Sequence, residues 1–516
     1  MAEDLLDTVG QLFGPIRGGL AYAVIIVGAL LAATTGVVAA SVIAMGLISL
    51  PIMLRYGYDR RVASGVIAAS GTLAQIIPPS LVLIVLADQL GRSVGDMYAG
   101  AIIPGLVLTG LYMAYIFAVS ILRPDWVPAL PPEARTLGHG VTSLLVAILV
   151  CIGIGYAAHV WLSPTQGANA DILGATVGVL VIYAYAVLDK SLKLNSMSRL
   201  AQQFIIVLIP PLALVFLVLG TIFLGIATPT EGGAMGALGA MVLAAMKGRL
   251  NYSVITQALA STTRLSAFVM FILIGARMFS LTFYGVNGHV WVEHLLVSLP
   301  GGEVGFLIFV SVLVFFLAFF LDFFELAFII VPLLVAPAEA LGIDLIWFGV
   351  ILAVNMQTSF MHPPFGFALF YLRSVAPRGP YSDKVTGERL AGVSTGQIYW
   401  GAVPFVVIQV VMVGIVIAFP QMVMHYKGPV VDPSSIQITV PGFTPLAPAA
   451  GTAPTGGATL GAPNLGAPNL GAPNLGVPNL GAPNLGTTAP AEGTATPALP
   501  QPNLGAPALG ALVVTP

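Results

Sequence analysis

The chain has 516 residues, of which 57% are hydrophobic and 8% charged, with a formal charge of −2 and a mean hydropathy of +0.97. That composition excludes a soluble domain, and the absence of a Lys/Arg-dense stretch excludes a nucleic-acid partner. Apolar runs long enough for helices of roughly 20 residues recur without a long polar domain between them, so the expected class is an all-α polytopic membrane protein and not a barrel.

Glu3, Asp4 and Asp7 follow Met1 in place of a basic region and apolar run, so no signal peptide is read there. Leu5, Leu6, Val9, Leu12 and Phe13 fall at helical spacing and predict a short amphipathic surface helix. Two apolar arms over 19–54 meet at Thr34-Thr35-Gly36; each is short for a full crossing, which predicts a re-entrant hairpin. A helix over 60–90 comes next, broken at Ile76-Ile77-Pro78-Pro79-Ser80, and then a continuous helix over 94–122. A Pro-rich loop leads to helices over 141–160 and 172–188. The single cysteine, Cys151, lies in the first of these and reads as a small apolar core residue. The second half opens with helices over 204–224, 232–246 and 266–283 and a short amphipathic segment at 289–299. An apolar stretch over 306–341 is interrupted by Asp322 and Glu325, predicting a second hairpin. A second broken helix over 345–372 contains Met361-His362-Pro363-Pro364-Phe365-Gly366, and a helix over 398–424 completes the set.

A Pro pair removes two backbone donors and frees carbonyls one turn earlier, which a bilayer tolerates only where protein or a water-filled cavity satisfies them. Such breaks at corresponding places in two halves point to a transporter's binding site. The order of elements in 1–122 is repeated in 289–424. Arg55, Arg60 and Arg61, Arg123 and Arg135, Lys190, Lys193 and Arg199, Lys247 and Arg249, and Arg373, Arg378, Lys384 and Arg389 mark cytoplasmic loops. Threading through them makes the two copies inverted: a first repeat over 1–122, a loop and inserted helix pair over 123–202, and a second repeat over 203–426. The Gly/Ala/Pro/Asn/Leu-rich segment 427–516, with its tandem Gly-Ala-Pro-Asn-Leu units, is predicted to be a disordered, inert extension on the periplasmic side.

Gly71-Thr72-Leu73-Ala74-Gln75-Ile76-Ile77-Pro78-Pro79-Ser80 and Ala99-Gly100-Ala101-Ile102-Ile103-Pro104-Gly105 resemble the first half of the large membrane subunit of tripartite ATP-independent periplasmic (TRAP) transporters. Ala227-Thr228-Pro229-Thr230-Glu231, Leu321-Asp322, Gly342-Ile343-Asp344 and the Pro363-Pro364 segment resemble its second half, and the likeness covers 2–424. The resemblance implies a multi-pass permease of a bacterial inner membrane that imports organic acids on a sodium gradient. It also implies a small membrane subunit, a periplasmic binding protein that delivers the substrate, and no cofactor beyond the coupling sodium ions. Family members begin with helices equivalent to those over 232–246 and 266–283. None stands before Met1, which implies a start placed at an internal methionine or a shortened gene.

Sodium is a hard cation that wants several oxygen ligands, and hairpin tips and broken helices supply them. Thr34, Thr35 and Gly36 are expected to face Gly71, Thr72 and Gln75 in one ion site, and Asp322 and Glu325 to face Asn355, Gln357, Thr358 and Ser359 in the other. The alternative is that the hydroxyls bond back to helical carbonyls. Asp322 and Glu325 sit among Phe319, Phe320, Phe323 and Phe324, where a carboxylate is costly unless partnered or functional; a packed pair with Arg277 is the competing structural role. Pro78, Pro79, Ser80, His362, Pro363 and Pro364 are the expected substrate contacts, with helix N-termini supplying positive charge. Glu231 is expected to cap its helix, and Asp88 and Arg92 to lie at the outer rim. No transition-metal site and no catalytic constellation is expected. The rival readings are an intramembrane enzyme using Asp322, Glu325 and His362, and a non-transporting remnant.

Overall fold

The computed structural model describes residues 2–427 except 136, 138–139, 167–169, 195, 364–365 and 384. The expected disorder of the C-terminal extension concerns residues that, beyond Lys427, lie outside those described.

The amphipathic α1 (Ala2–Phe13) buries Leu5, Leu6 and Val9 against α2 (Gly19–Thr35), which pairs with α3 (Val38–Arg55) as a hairpin. The hairpin turns on Gly36, whose φ of +61 is open to glycine and whose N–H reaches Ala32 O at 2.9 Å. The α4 helix (Arg60–Thr72) starts at Asp59, whose Oδ1 accepts the Arg61 N–H at 2.8 Å, and is buried from Val62 to Thr72. It tightens into a 3-10 turn at Leu73–Gln75, breaks at the cis Pro78-Pro79 bond, and resumes as α5 (Leu81–Gln89) after the Ser80 cap. The first repeat ends with α6 (Val94–Leu122).

Next, α7 (Val141–Gln166) and α8 (Ala170–Leu192) pack on α9 (Arg199–Phe223) around a second core of Leu144, Ala147, Ile182, Ala186, Ala201 and Ile205. The α10 helix (Pro229–Met246) begins in a capping box, Thr228 and Glu231 satisfying each other's backbone N–H groups. The α11 helix (Tyr252–Gly285) corrects the expected span of 266–283. It starts at the Asn251 cap and runs for 34 residues, because no Pro and no Gly before Gly275 interrupts the exposed polar turns around Thr256, Gln257 and Arg264. At 1.5 Å per residue it is about 51 Å long, well beyond the ~30 Å of a hydrocarbon core.

The second repeat runs α12 (Gly288–Val297), α13 (Gly302–Leu317), the short turn α14 (Phe323–Glu325), a π turn at Leu326–Ile330 and α15 (Val331–Ala340). The second broken helix is α16 (Leu345–Met356), a 3-10 turn at Gln357–Phe360 and α17 (Phe367–Val375). The last long helix, α18 (Thr395–Ala418), stops short of the expected 424, since Pro420 separates it from α19 (Gln421–Met424). Among the described residues eight helices are long and apolar enough to cross a membrane.

Two crossings expose the repeat. Gly100 of Tyr98-Ala99-Gly100-Ala101 sets α6 against Ile346 of α16, and Gly401 of Tyr399-Trp400-Gly401-Ala402 sets α18 against α4. Here a Cβ on Gly65 would collide with the Gly401 carbonyl, and one on Gly401 with the Arg61 carbonyl. Reciprocally, α4 packs on α17 and α18, and α16 packs on α5 and α6. Along α18, Gly401 meets Arg61, Gln409 meets Thr72, and the Val416 carbonyl accepts the Trp347 Nε1–H at 2.9 Å. Thus α4 and α16 enter from opposite ends and their breaks converge.

The loop between α3 and α4 and the loop after α17 share one end. Arg55 forks onto Asp383 with two 2.9 Å bonds, and Arg60 reaches the Ala391 carbonyl at 3.3 Å. Asp383 also accepts the Val385 and Thr386 N–H groups, closing a small antiparallel ladder, Tyr381–Ser382 with Arg389–Leu390, that the all-α expectation did not include. At the opposite end lie the Arg92–Glu339 and Lys427–Asp344 pairs, at 3.1 and 2.5 Å.

Gly401→Leu is expected to lower stability by roughly 1–3 kcal/mol through overpacking, whereas Gly414→Leu, with open space around its Cβ position, leaves the melting temperature in detergent unchanged. Equal melting temperatures for the two variants refute the close crossing. The Arg55 fork holds the Asp383 carboxyl well below the usual carboxylate range. A carboxyl depressed below its unfolded value of about 3.9 stabilises fully above roughly pH 5 and loses that contribution as pH falls further. Asp383→Asn should therefore lower the melting temperature at neutral pH, with the difference from the unsubstituted protein shrinking below about pH 4; a difference constant with pH counts against the pair.

Candidate functional site

The first junction joins the hairpin tip to the first break. A Cβ at Gly36 would stand 3.6 Å from the Pro79 carbonyl and 3.8 Å from the Leu81 nitrogen, so the tip meets the break inside the protein. Gly71 allows this closeness one turn before the break, because a Cβ there would collide with Val42 of α3. Thr34 donates its hydroxyl to the Leu31 carbonyl at 2.9 Å; the side chain of Thr35 is outside the description. Ser80 donates to the Gln75 carbonyl at 2.6 Å, satisfying one acceptor that the break frees. The Gln75 side chain is 1% exposed, and neither of its amide atoms has a hydrogen-bond partner among the described residues.

The second junction differs. Glu325 accepts the Asp322 N–H at 2.9 Å and the Asp322 carboxylate accepts the Glu325 N–H in return, a capping box that restarts the chain, while Asp322 Oδ1 is buried without a partner among the described residues. Arg277 makes no ion pair with Asp322 among the described residues. It lines a separate cavity of about 670 Å³ together with Asp88 and Gln89. His362 is buried, stacked 4.1 Å from the Phe319 ring and edge-on to Phe315 at 4.5 Å, and neither ring nitrogen has a close hydrogen-bond partner. Asn355 donates to the Ser311 carbonyl at 2.7 Å; Thr358 and Ser359 return their hydroxyl protons to Asn355 O and Met356 O, each at 2.7 Å. Pro363 is half-buried, and Pro364 lies outside the described residues.

The two junctions touch. Gln357 Nε2 donates to Thr72 Oγ1 at 3.0 Å, and Gln409 Nε2 approaches the same oxygen at 3.5 Å while donating to the Tyr112 hydroxyl at 2.9 Å. Thr72 gives its own proton to Ala69 O at 2.8 Å, so both lone pairs and the proton are in use and Thr72 organises the junction instead of offering a free ligand. At these junctions the buried amide and carboxylate oxygens Gln75 Oε1, Gln357 Oε1, Gln409 Oε1 and Asp322 Oδ1 have no donors among the described residues. Leaving such an atom unsatisfied costs about 1–3 kcal/mol, and oxygen acceptors are what a hard monovalent cation takes. The sequence reading passed over Gln409 and Tyr112. The available signal was a lone amide amid Phe405-Val406-Val407-Ile408 and Val410-Val411-Met412-Val413.

Beside the first junction lies a cavity of about 390 Å³, bordered by Thr34, Gly36, Pro79, Ser80 and Tyr98 on one side and by α9 and α10 on the other. His362 and Pro363 do not border it. The chain also spells Gly-x-Ser-x-Gly at Gly392-Val393-Ser394-Thr395-Gly396, just after the two-residue strand Arg389–Leu390, but Ser394 Oγ accepts the Gln397 N–H as the cap of α18 and is used there as a cap and not as a nucleophile.

The chain matches the family model described as "Tripartite ATP-independent periplasmic transporter, DctM component" over residues 1–201 and 168–422. It is 27% identical over 380 residues to the C4-dicarboxylate TRAP transporter large permease protein DctM of Pseudomonas aeruginosa, covering 73% of each chain. It is 23% identical over 431 residues to the ectoine TRAP transporter large permease protein TeaC of Halomonas elongata, covering 83% of this chain and 81% of the relative. With the sialic acid TRAP transporter permease protein SiaT of Haemophilus influenzae it shares 21% identity over 428 residues, covering 82% of this chain and 56% of the relative. These relatives are permeases, which sets aside the intramembrane-enzyme reading. The chain belongs to the DctM component family of TRAP transporters and is a multi-pass membrane permease subunit of a secondary transporter.

Proposed function

We propose that this permease imports carboxylates together with sodium ions, receiving them from a periplasmic binding protein and working beside a small membrane subunit in a bacterial inner membrane. The observation that carries the reading is the set of four buried oxygens without donors among the described residues, those of Gln75, Gln357 and Gln409 on or beside the converging helix breaks and Asp322 Oδ1 at the restart of the second hairpin, in an otherwise apolar interior. Such atoms lose their desolvation cost when a cation arrives. Thr34, Thr358 and Ser359 back-bond through their protons, which leaves each oxygen lone pairs to offer.

The two hairpins and two broken helices form the moving unit, and α7 to α11 the frame against which it slides. Sodium held at the junctions stiffens the hairpin tip that borders the 390 Å³ cavity, so substrate capture and ion capture draw on the same backbone. The arginine-rich end, with Arg55, Arg60, Arg373 and Arg378, faces the cytoplasm, and the end with Arg92 and Lys427 faces outward.

Asp322→Asn should abolish sodium-driven uptake when the chain is co-produced with its small subunit and binding protein, with membrane insertion unchanged. Gln75→Leu removes one neutral ligand and should raise the half-saturating sodium concentration by roughly tenfold, about 1.4 kcal/mol. Unaltered sodium dependence in both variants removes these junctions from ion coupling.

A further inference from the structure

We infer that the cavity beside the first junction selects monocarboxylates with an apolar body, aromatic or alicyclic, over dicarboxylates; this rests on the carboxylate reading above and narrows it. The cavity's volume of about 390 Å³ lies within the ~300–1,000 Å³ of small-molecule sites. Its frame-side wall is Leu214, Val215, Val218, Ile222, Ala237 and Ala240, and no charged side chain lines it. The three hydroxyls on the opposite side have already placed their protons: Thr34 on Leu31 O, Ser80 on Gln75 O and Tyr98 on Ser80 O.

Positive potential for an anion therefore has to come from backbone, and two helix N-termini border the space. The α5 terminus is open: its cap, Ser80, is neutral, and the Leu81 and Val82 N–H groups donate no hydrogen bond among the described residues. The α10 terminus is guarded by charge: Pro229 carries no N–H, and beside the remaining Thr230 N–H the Glu231 carboxylate accepts the Thr228 N–H at 2.7 Å and its hydroxyl at 2.9 Å. One carboxylate is met by α5. A second would face either the aliphatic wall or the α10 terminus, where Glu231, just outside the lining, adds negative charge. An apolar body instead gains contact with that wall as water leaves it.

The test uses the purified full-length chain in detergent with sodium present, and measures equilibrium binding of benzoate, cyclohexanecarboxylate, succinate and the uncharged cyclohexylmethanol by calorimetry. The two monocarboxylates should bind at least ~10-fold more tightly than succinate or the alcohol. Gly233 borders the cavity with open space where its Cβ would stand, so Gly233→Leu should weaken cyclohexanecarboxylate by roughly 10-fold without a change in melting temperature. Glu231→Gln, which keeps the cap and removes its charge, should narrow the gap by strengthening succinate. Succinate binding as tightly as the monocarboxylates overturns the selectivity while the carboxylate reading survives. Sodium-dependent binding of none of the three acids overturns both. Unchanged affinity in Gly233→Leu removes the cavity as the site, and equal affinity for the alcohol removes the role of α5.

Discussion

The hydrogen bond from Gln357 to Thr72 is the constraint on which the rest of this structure turns. Each Pro-Pro break leaves backbone carbonyls and side-chain amides inside an apolar core, where water cannot satisfy them. Joining the breaks lets each half supply the other: Gln357, in the turn that follows α16, uses one lone pair of Thr72, Gln409 from α18 approaches the other, and the Thr72 proton closes on α4 itself. Three helices from opposite repeats are tied at one oxygen. With Thr72 saturated, the amide oxygens around it are left as the free acceptors, so the group that looks most like a ligand fixes the geometry of those that are available.

That tie needs α4 and α16 to enter from opposite ends and α18 to lie close to α4 along its length. The Gly65–Gly401 contact sets this distance, bringing backbone against backbone where any side chain would force the helices apart. A bulkier residue at that crossing would act at a distance on Gln409, two turns further along the same helix. Arg55 and Asp383 then clamp the two loops at the arginine-rich end, outside the apolar core. Small residues inside and a charged fork outside thus serve one purpose, which is to hold two unwound segments in register.

Much of this was legible in the chain because breaks and charges are conspicuous among apolar residues. Pro78-Pro79 and Pro363-Pro364 marked the two interruptions, Thr34-Thr35-Gly36 marked the first tip, and the arginines marked a common end, which the Arg55–Asp383 and Arg60–Ala391 contacts join in space. The cap at Glu231 was legible because Thr-Pro-Thr-Glu has the spacing of a capping box. What sequence could not give was partnership. Asp322 and Glu325 read as an equivalent pair at helical spacing, and they cap each other's backbone N–H groups, yet Asp322 keeps one oxygen, Oδ1, without a donor among the described residues. The expected substrate contacts split in the same way, Pro79 and Ser80 bordering the cavity while His362 is packed between rings. The full length of α11 was hidden because hydropathy registers only its apolar portion, whereas the backbone continues through any polar stretch free of Pro and Gly.

The two junctions are related by fold but not by chemistry, and the difference has electrostatic logic. The first offers neutral amides and hydroxyls beside open space; the second holds Asp322, Glu325 and a ring-packed His362 away from that cavity. Carboxylates bordering the cavity would repel an anion across a low-dielectric gap, where charges interact far more strongly than in water. Placing the buried acid in the opposite repeat keeps its attraction for cations while removing it from the wall that an anion would touch. The inverted architecture makes this separation possible, since it gives one chain two versions of the same break that are free to diverge.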